Sequence, residues 1–286
     1  MFGKRPDGKR VKKQNSIERM IPLFMPKRSG ATNFYLFKTK CSEIDDFIAL
    51  KKQEGINYNY RDIVLASVIR VFATRPKFNR FFVKDRLYQR KHIDVAMMAH
   101  KSLRHGEEEV IIKARFTGRE TLHEIKQKMD TAINDALTKP HQVSKKVSRR
   151  PQFMVRWTIR LFKFLDRRGI LSDKFIFKNS PFHSSIFFAD LKSIHLNYVF
   201  HHLYDFGNCG FFATMAKERI DAVIDEKTNE VRAEKVLQLG ISLDERVADG
   251  LYFRHMVKYM ERIPSNLSSL ELPLTDDQIF VPHDLR

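Results

Sequence analysis

Cysteine, glycine and proline are all scarce in this sequence of 286 residues, which contains 2, 11 and 10 of them respectively. Two cysteines cannot form a disulfide framework or a cysteine zinc site, and so few favour a reducing compartment. The low glycine and proline content excludes collagen-like repeats and low-complexity chains. No stretch has the roughly 18 to 20 uninterrupted apolar residues that a membrane span needs. These absences predict a folded cytoplasmic protein.

Acidic residues are also in deficit, because 52 lysines and arginines face 34 aspartates and glutamates, for a net charge of +18. Nine basic and two acidic residues lie in 1–30, and nine basic and one acidic in 145–168, so these two segments hold most of the excess. Such an excess attracts anionic partners. Nonspecific affinity for nucleic-acid phosphates is one interpretation. No zinc-finger, RNP-like or helix-turn-helix pattern is present, and we predict no specific nucleic-acid partner.

Hydrophobic periodicity predicts strands that alternate with helices. Apolar runs and period-two alternation predict strands at 33–39, 80–90, 92–101, 110–116, 185–191, 210–215 and 236–243. Helical spacing predicts a largely buried helix at 60–75 and amphipathic helices at 122–136 and 251–263. This order is typical of an α/β fold. Composition divides the chain into a basic arm at 1–19, one domain at 20–265 and a C-terminal tail at 266–286.

Four local strings occur in an order that matches a known family. They are Arg75-Pro-Lys-Phe-Asn79, Ile93-Asp-Val-Ala96, Met215-Ala-Lys217 and Asp244-Glu-Arg-Val-Ala-Asp-Gly250. In this order the chain resembles the catalytic domain of the dihydrolipoyl acyltransferases of 2-oxo acid dehydrogenase complexes and the related chloramphenicol acetyltransferases. The resemblance covers residues 20–265. No lipoyl or peripheral-subunit-binding segment is recognised before it.

The resemblance implies a chloramphenicol-acetyltransferase-like α/β fold, a mixed sheet with flanking helices, assembled as a homotrimer with active sites between subunits. It implies coenzyme A or acyl-coenzyme A as the ligand. In that family a histidine deprotonates the coenzyme thiol or the acceptor hydroxyl, and a serine or threonine hydroxyl stabilises the oxyanion. A neutral imidazole is a base near physiological pH, and a hydroxyl aimed at the developing charge lowers the barrier.

The sequence departs from this pattern at both chemical positions. Glu245 stands where the family has its histidine. The family's hydroxyl residue and the Asn-Leu-Gly after it align with the string Ala189-Asp190-Leu-Lys192. Ala189 has no hydroxyl to donate, so the oxyanion contact is lost together with the histidine.

Residues of the motif that serve structure are retained. Arg246, Asp249 and Gly250 match the family. The resemblance implies that the motif aspartate forms a structural ion pair with an arginine, and we expect Arg28 to be the partner of Asp249. The framework of the motif is therefore present without its chemical groups.

Two functional hypotheses follow. The first is an acyltransferase of reduced activity whose base is Glu245 or a recruited histidine, because enzymes also use glutamate as a general base. The second is a non-catalytic trimeric scaffold or binding protein, a pseudoenzyme. The string His201-His202-Leu-Tyr-Asp-Phe-Gly207 could supply that histidine, and with Ala189, Asp190 and Lys192 could line the coenzyme site. Alternation along a strand would put the two histidines on opposite faces with no third ligand nearby, so we predict no metal.

The basic segment at 145–168 is rich in apolar residues and contains Trp157, the sole tryptophan. A basic aromatic helix of this kind could lie on an anionic membrane surface, as a peripheral contact. It could also bury its aromatic side in a trimer and leave its arginines in water or on coenzyme A phosphates. Both interpretations remain open from the sequence.

Overall fold

A computed structural model of the chain describes residues 5–100, 109–138, 150–225 and 228–279. The strands are β1 (Gly8–Arg10), β2 (Thr32–Lys40), β3 (Arg80–Val83), β4 (Arg86–Arg90), β5 (Ile93–His100), β6 (Glu109–Phe116), β7 (Ile186–Asp190), β8 (Phe211–Met215), β9 (Arg219–Ile224) and β10 (Val231–Asp244). The helices are α1 (Ser16–Phe24), α2 (Ser42–Gln53), α3 (Tyr60–Thr74), α4 (Leu122–Thr138), α5 (Gln152–Arg168), α6 (Asp173–Asn179) and α7 (Gly250–Arg262).

A mixed seven-stranded sheet organises the domain and confirms the predicted α/β class. Its order is β2-β10-β8-β7-β5-β6, and β9 pairs with the first half of β10. Strand β7 runs parallel to both β5 and β8, whereas the other pairs are antiparallel. Parallel neighbours require crossover connections, so the segments before and after β7 must return across the sheet. The path from β7 to β8 carries the polar-aromatic string at 201–207.

One face of the sheet carries the main core. Helix α3 lies there, buried at every position but Arg61, as its continuous apolar run predicts. A capping box starts it, in which Asn59 Oδ1 accepts from the Asp62 amide at 3.1 Å and Asp62 Oδ2 accepts from the Asn59 amide at 3.2 Å. Helices α4 and α7 pack beside α3. Packed helices close this face, and Asp190 of the expected site lies on it, because it alternates along β7 with Ile186 and Phe188 of the main core.

The opposite face has a smaller cluster, covered by the chain between β7 and β8. Its buried members are Ala96, Phe187, Leu203, Cys209 and Phe212, with Ala189 and Tyr204 packed against them. Because neighbouring side chains of a strand point to opposite faces, Phe211 and Ala213 of β8 join the main core instead. Of the expected site residues, Ala189 and His201 therefore lie on this second face, His201 by stacking on Phe212.

The small sheet β1-β4-β3 differs from the expected single strand at 80–90. A tight turn divides that segment, and Lys84 in it has a left-handed φ of 53°. Hairpin turns usually carry Asn or Gly at such positions, so Lys84 gave no turn signal in the sequence. The turn brings Lys84 to the rim of the molecule, beside the C-terminal end of β10.

The packed core extends past both predicted domain boundaries. Strand β1 pairs with β4, and Val11 after it is buried. At the other end Leu267, Leu270 and Leu274 also belong to the main core. In the described ranges, no helix is long and apolar enough to cross a bilayer.

Candidate functional site

A buried carboxylate lies at the C-terminal end of β10. Asp244 is 1% exposed and accepts from Arg246 twice, Nε to Oδ1 and Nη2 to Oδ2, both at 2.7 Å. Arg28 approaches the same carboxylate, with its Nε 3.6 Å from Oδ2. Burial lowers the pKa of the Arg28 guanidinium, while the Asp244 charge opposes that shift. Two buried arginines thus share a single aspartate.

This arrangement corrects the expected pairing of Arg28 with Asp249. Asp249 is exposed and caps helix α7, where its Oδ1 accepts from the Tyr252 amide at 2.8 Å. An aspartate in this position satisfies a free amide at the helix start. Sequence spacing could not tell which of the two motif aspartates turns inward. The arginine partner is Asp244, the last residue of the strand.

Glu245, which occupies the position of the family's histidine, is half-buried. Its Oε2 accepts a hydrogen bond from Asn33 Nδ2 at 2.6 Å, and its amide donates to the Ala31 carbonyl at 3.0 Å. The side chain is thereby held against the start of β2. An ionised carboxylate in this contact acts as a hydrogen-bond acceptor.

The other half of the expected site lies at the C-terminal end of β7. Ala189 faces the second side of the sheet, opposite Thr214 of β8. Thr214 carries a hydroxyl on this face, a feature missed from the sequence, but it donates to the Val199 carbonyl at 2.7 Å. The hydroxyl is therefore already engaged, and position 189 offers only a methyl group.

Asp190 and Lys192 follow Ala189 and are both bound to neighbouring groups. Asp190 Oδ1 accepts from the Lys192 amide at 3.1 Å, and burial raises the pKa of Asp190. Lys192 pairs with Glu218, and its ammonium lies 4.7 Å from the centre of the Tyr60 ring. These contacts hold the end of β7 in place.

Glu245 and Ala189 stand at opposite ends of the sheet. Ala189 is level with Thr214, and Thr214 is level with Gly240 of β10. Glu245 follows Gly240 by five positions, which at about 3.3 Å per residue separates the two levels by about 17 Å along the strands. Groups so far apart within one chain cannot act on the same bond.

The chain between β7 and β8 runs along the second face from one half of the site to the other. Near the β7 end, Val199 crosses Gly240 so closely that a Cβ there would lie 2.7 Å from the Val199 carbonyl oxygen. At the β10 end, Arg28 donates to the carbonyls of Tyr204 and Gly207. Asp205 accepts from the amide and hydroxyl of Ser29 at 3.0 and 2.9 Å. We call residues 195–209 the bridging loop.

The two adjacent histidines lie side by side on the bridging loop, not on opposite faces of a strand as expected. Their ring centres are 4.7 Å apart, because this part of the chain is irregular. The ring of His201 also stacks on Phe212 at 4.2 Å. Its Nδ1 lies 2.8 Å from the His202 carbonyl, which can only accept. Nδ1 therefore carries a proton, which fixes the tautomer of the neutral ring with Nε2 as the acceptor, and Nε2 lies 3.4 Å from the Tyr204 hydroxyl.

A further histidine, His183, was not recognised from the sequence. Its Nδ1 lies 2.7 Å from the Ser180 hydroxyl and its Nε2 lies 3.4 Å from Asp166 of α5. The order of groups resembles a catalytic triad, but Ser180 and His183 are only 3% and 1% exposed. Burial lowers the pKa of His183 and excludes substrate. The cluster instead anchors α5 to the domain, together with Arg5, which donates to Asp166 Oδ1 at 2.7 Å.

No set of three metal-ligating side chains occurs among the residues that the structure describes. His201 and His202 lie close together, but such a site needs a further ligand.

No protein-family model matches the chain, and no curated protein is significantly similar to it in sequence. Solved structures do match. The cubic core of the pyruvate dehydrogenase multienzyme complex superimposes with a TM-score of 0.58 at 12% identity, covering 91% of this chain and 94% of that one. Dihydrolipoamide acetyltransferase of Azotobacter vinelandii gives 0.56 at 11% identity, with 91% and 94% covered. In that enzyme a serine, a histidine and an asparagine have been studied for their role in the catalytic mechanism.

Chloramphenicol acetyltransferase matches as well, with a TM-score of 0.51 at 11% identity over 88% of this chain and 95% of that one. These neighbours are the proteins that the motif strings indicated. The chain has the fold of the catalytic core domains of 2-oxo acid dehydrogenase acyltransferases and chloramphenicol acetyltransferase.

Proposed function

We propose that this chain is a coenzyme A-linked acyltransferase-type protein that assembles as a homotrimer, with weakened acyl-transfer chemistry. The separation of about 17 Å between the levels of Glu245 and Ala189 carries the proposal. A site that uses both positions needs the β10 end of one copy beside the β7 end of another. The fold shared with acyltransferase core domains supports coenzyme A or an acyl-coenzyme A as the ligand.

Weakened chemistry follows from the groups at the two positions. A glutamate bound to Asn33 replaces an imidazole, and a methyl group replaces the hydroxyl that would stabilise an oxyanion. Losing one such donor typically slows acyl transfer by about a hundredfold to a thousandfold. With the base changed as well, the residual rate depends on Glu245 or on a histidine from elsewhere.

His201 is the strongest replacement base. Its Nε2 is unprotonated in the tautomer that the His202 carbonyl selects, and the ring is half-exposed on the second face of the sheet. A thiol or hydroxyl beside Nε2 could transfer its proton there. The Tyr204 hydroxyl at 3.4 Å could donate to the same region.

The enzyme hypothesis and the scaffold hypothesis make opposite predictions for variants of Glu245 and His201. Titration with coenzyme A and acetyl-coenzyme A, followed by a thiol-release assay on candidate acceptors, separates the two. If the protein is an enzyme, either Glu245→Gln or His201→Asn should lower turnover about a hundredfold or more while leaving the melting temperature in place. If it is a scaffold, neither variant changes any rate, and Glu245→His with Ala189→Ser could create activity.

Assembly is tested separately by light scattering. The homotrimer should give three times the 33.8 kDa mass of the chain at micromolar concentration. A monomer mass would contradict both the assembly and the site built between copies.

A second candidate function, docking on an anionic membrane surface, rests on helix α5. No residue of α5 is buried, although Phe162 packs on Phe175, His183 and Phe206. Four apolar side chains of α5, spaced four, four and three residues apart, form a solvent-exposed stripe. Their exposed fractions are 65%, 68%, 56% and 51% in chain order. These residues are Phe153, Trp157, Leu161 and Phe164.

The charge of α5 favours an anionic bilayer over a second copy of this chain. Five basic residues lie on the helix against one acidic residue, and that one, Asp166, is bound to Arg5. The exposed basic residues include Arg156, Arg160 and Lys163, beside the apolar stripe. A second chain of net charge +18 would repel this surface, whereas acidic lipids attract it.

Trp157 reports on this contact, because it is the sole tryptophan. Vesicles of phosphatidylglycerol and phosphatidylcholine should shift its fluorescence to the blue, and pure phosphatidylcholine should not. Phe153→Ser with Leu161→Ser should abolish the shift, whereas Leu251→Ser, on the equally exposed start of α7, should not. A blue shift that depends on protein concentration and not on vesicles would show that a second copy covers the stripe.

A further inference from the structure

A cleft of about 300 Å³ lies beside the buried Asp244 cluster. It is bounded by the segment after α1, the turn between β3 and β4, helix α5 and the bridging loop. The basic residues that line it are Lys27, Arg28, Lys84, Lys163, Arg167 and Arg246. The fold has therefore gathered cationic side chains from four segments that lie far apart in the sequence.

The acidic residues of the cleft are already engaged. Asp166 accepts from Arg5 and faces His183, and Asp205 accepts from the amide and hydroxyl of Ser29. Asp205 keeps its negative charge beside Arg28, and Asp166 is shared with Arg5, so two carboxylates face six cationic groups in the lining. The potential in the cleft is therefore positive.

Three of the cations have no polar partner among the residues that the structure describes. Across the described ranges, the side chains of Lys27, Lys84 and Arg167 make no ion pair or hydrogen bond. Lys163 adds a fourth cation, whose ammonium lies 5.7 Å from the centre of the Phe206 ring. Unpaired cations repel one another, and their convergence is unfavourable unless an anion lies among them.

The floor of the cleft has the same excess of positive charge. Arg28 and Arg246 are 5% and 6% exposed and share the single carboxylate of Asp244. The Nε atom of Arg28 is buried and has no hydrogen-bond partner. A buried donor without an acceptor is costly, so the site lacks an acceptor as well as a negative charge.

We propose that this cleft binds a phosphate-bearing anion, such as a diphosphate group, between Lys84 and Arg167 at the rim and Arg28 at the floor. Several cations on separate elements suit an anion with many oxygens and a charge of at least two, more than a single carboxylate. The volume is at the lower end for ligand pockets and fits a small anion or one end of a larger molecule. The proposal does not depend on the proposed acyl-transfer function, because inorganic phosphates satisfy it.

Calorimetric titration of the full chain with inorganic pyrophosphate tests this site. Saturable binding is expected, and Lys84→Gln with Arg167→Gln should weaken it on the order of tenfold or more, equivalent to about 1.4 kcal/mol. Neither side chain has a partner, so the melting temperature should not change. Lys27→Gln provides a second, independent probe of the cleft and should weaken binding in the same direction.

Lys12→Gln with Lys13→Gln is the matched control, because it removes the same charge from exposed positions away from the cleft. Equal weakening in the control and cleft variants would reduce the effect to net charge and overturn the proposal. Absence of saturable pyrophosphate binding by the unaltered chain would also overturn it.

Competition distinguishes the source of the phosphate. Displacement of pyrophosphate by coenzyme A identifies a nucleotide diphosphate, displacement by phosphatidylglycerol vesicles identifies a lipid headgroup, and displacement by neither identifies a free anion. All three results require that pyrophosphate binds in the cleft. Coenzyme A binding that persists in Lys84→Gln with Arg167→Gln, without pyrophosphate binding, would overturn the cleft proposal and leave the proposed function standing.

Discussion

Replacing Asp244 with asparagine tests the buried cluster at the end of β10. Asparagine keeps the shape of the side chain and one carbonyl oxygen, but it removes the negative charge that faces Arg246 and Arg28. The aspartate and both arginines are nearly inaccessible, with 1%, 6% and 5% exposure. Water therefore cannot solvate the two guanidinium groups in its place. Breaking a buried pair from one side costs about 3 to 5 kcal/mol, which for a chain of this size lowers the melting temperature by about 10 °C.

The assay is thermal unfolding followed by circular dichroism, with urea unfolding to obtain the free energy. Asp249→Asn is the matched control, because asparagine caps a helix as well as aspartate and Asp249 is exposed. That variant should lose less than about 0.5 kcal/mol. Adding Arg28→Met to Asp244→Asn removes one uncompensated cation, so the double variant should lose less than the sum of the single losses. If Asp249→Asn proves as damaging as Asp244→Asn, the assignment of Asp244 as the arginine partner is wrong.

Three further variants test the packing around the site. Burial lowers the pKa of the Lys113 ammonium from 10.5 to about 8 in the folded chain. Between pH 8 and pH 10.5 the unfolded chain therefore binds more protons at Lys113 than the folded chain does. As pH rises from 8 to 10.5 the unaltered chain should therefore gain stability relative to Lys113→Met, by up to about 3 kcal/mol in urea unfolding. Gly240→Ala should cost about 1 to 3 kcal/mol, because its Cβ would lie 2.7 Å from a carbonyl of the bridging loop, whereas Gly30→Ala, with no atom within 4 Å, should be neutral in the same assay. Asp166→Asn should cost about 2 kcal/mol by removing the carboxylate that binds Arg5 and anchors α5, and an unchanged urea midpoint would contradict that anchoring role.

Much of the fold could be predicted from the sequence because the hydrophobic periods are strong. The buried helix α3 lacks a polar stripe, and β10 alternates clearly over its second half, so period alone identifies both. Strand β9 and the first half of β10 were missed. Both are largely exposed and pair mainly with each other, so little burial constrains their side chains.

The site could be predicted only in part, because its contacts depend on side-chain orientation and on how distant elements are placed in the fold. Positions 189 and 245 follow from the motif strings, but their separation depends on strand register, which local sequence does not encode. The choice of Asp244 over Asp249 depends on where β10 ends and α7 begins. The convergence of Lys84 and Arg167 depends on a hairpin turn and a helix that lie far apart in the sequence.

The position of β10 in the sheet also governs how the domain can fold. It lies between β2 and β8, and its partner Thr32 is separated from Asp244 by most of the domain. Such pairing has high contact order and forms slowly. During synthesis β2 and β8 present unpaired edges until β10 leaves the ribosome, and exposed edges favour aggregation. Completion of the main sheet therefore waits for one late strand, and the edges of β2 and β8 stay open to other chains until it emerges.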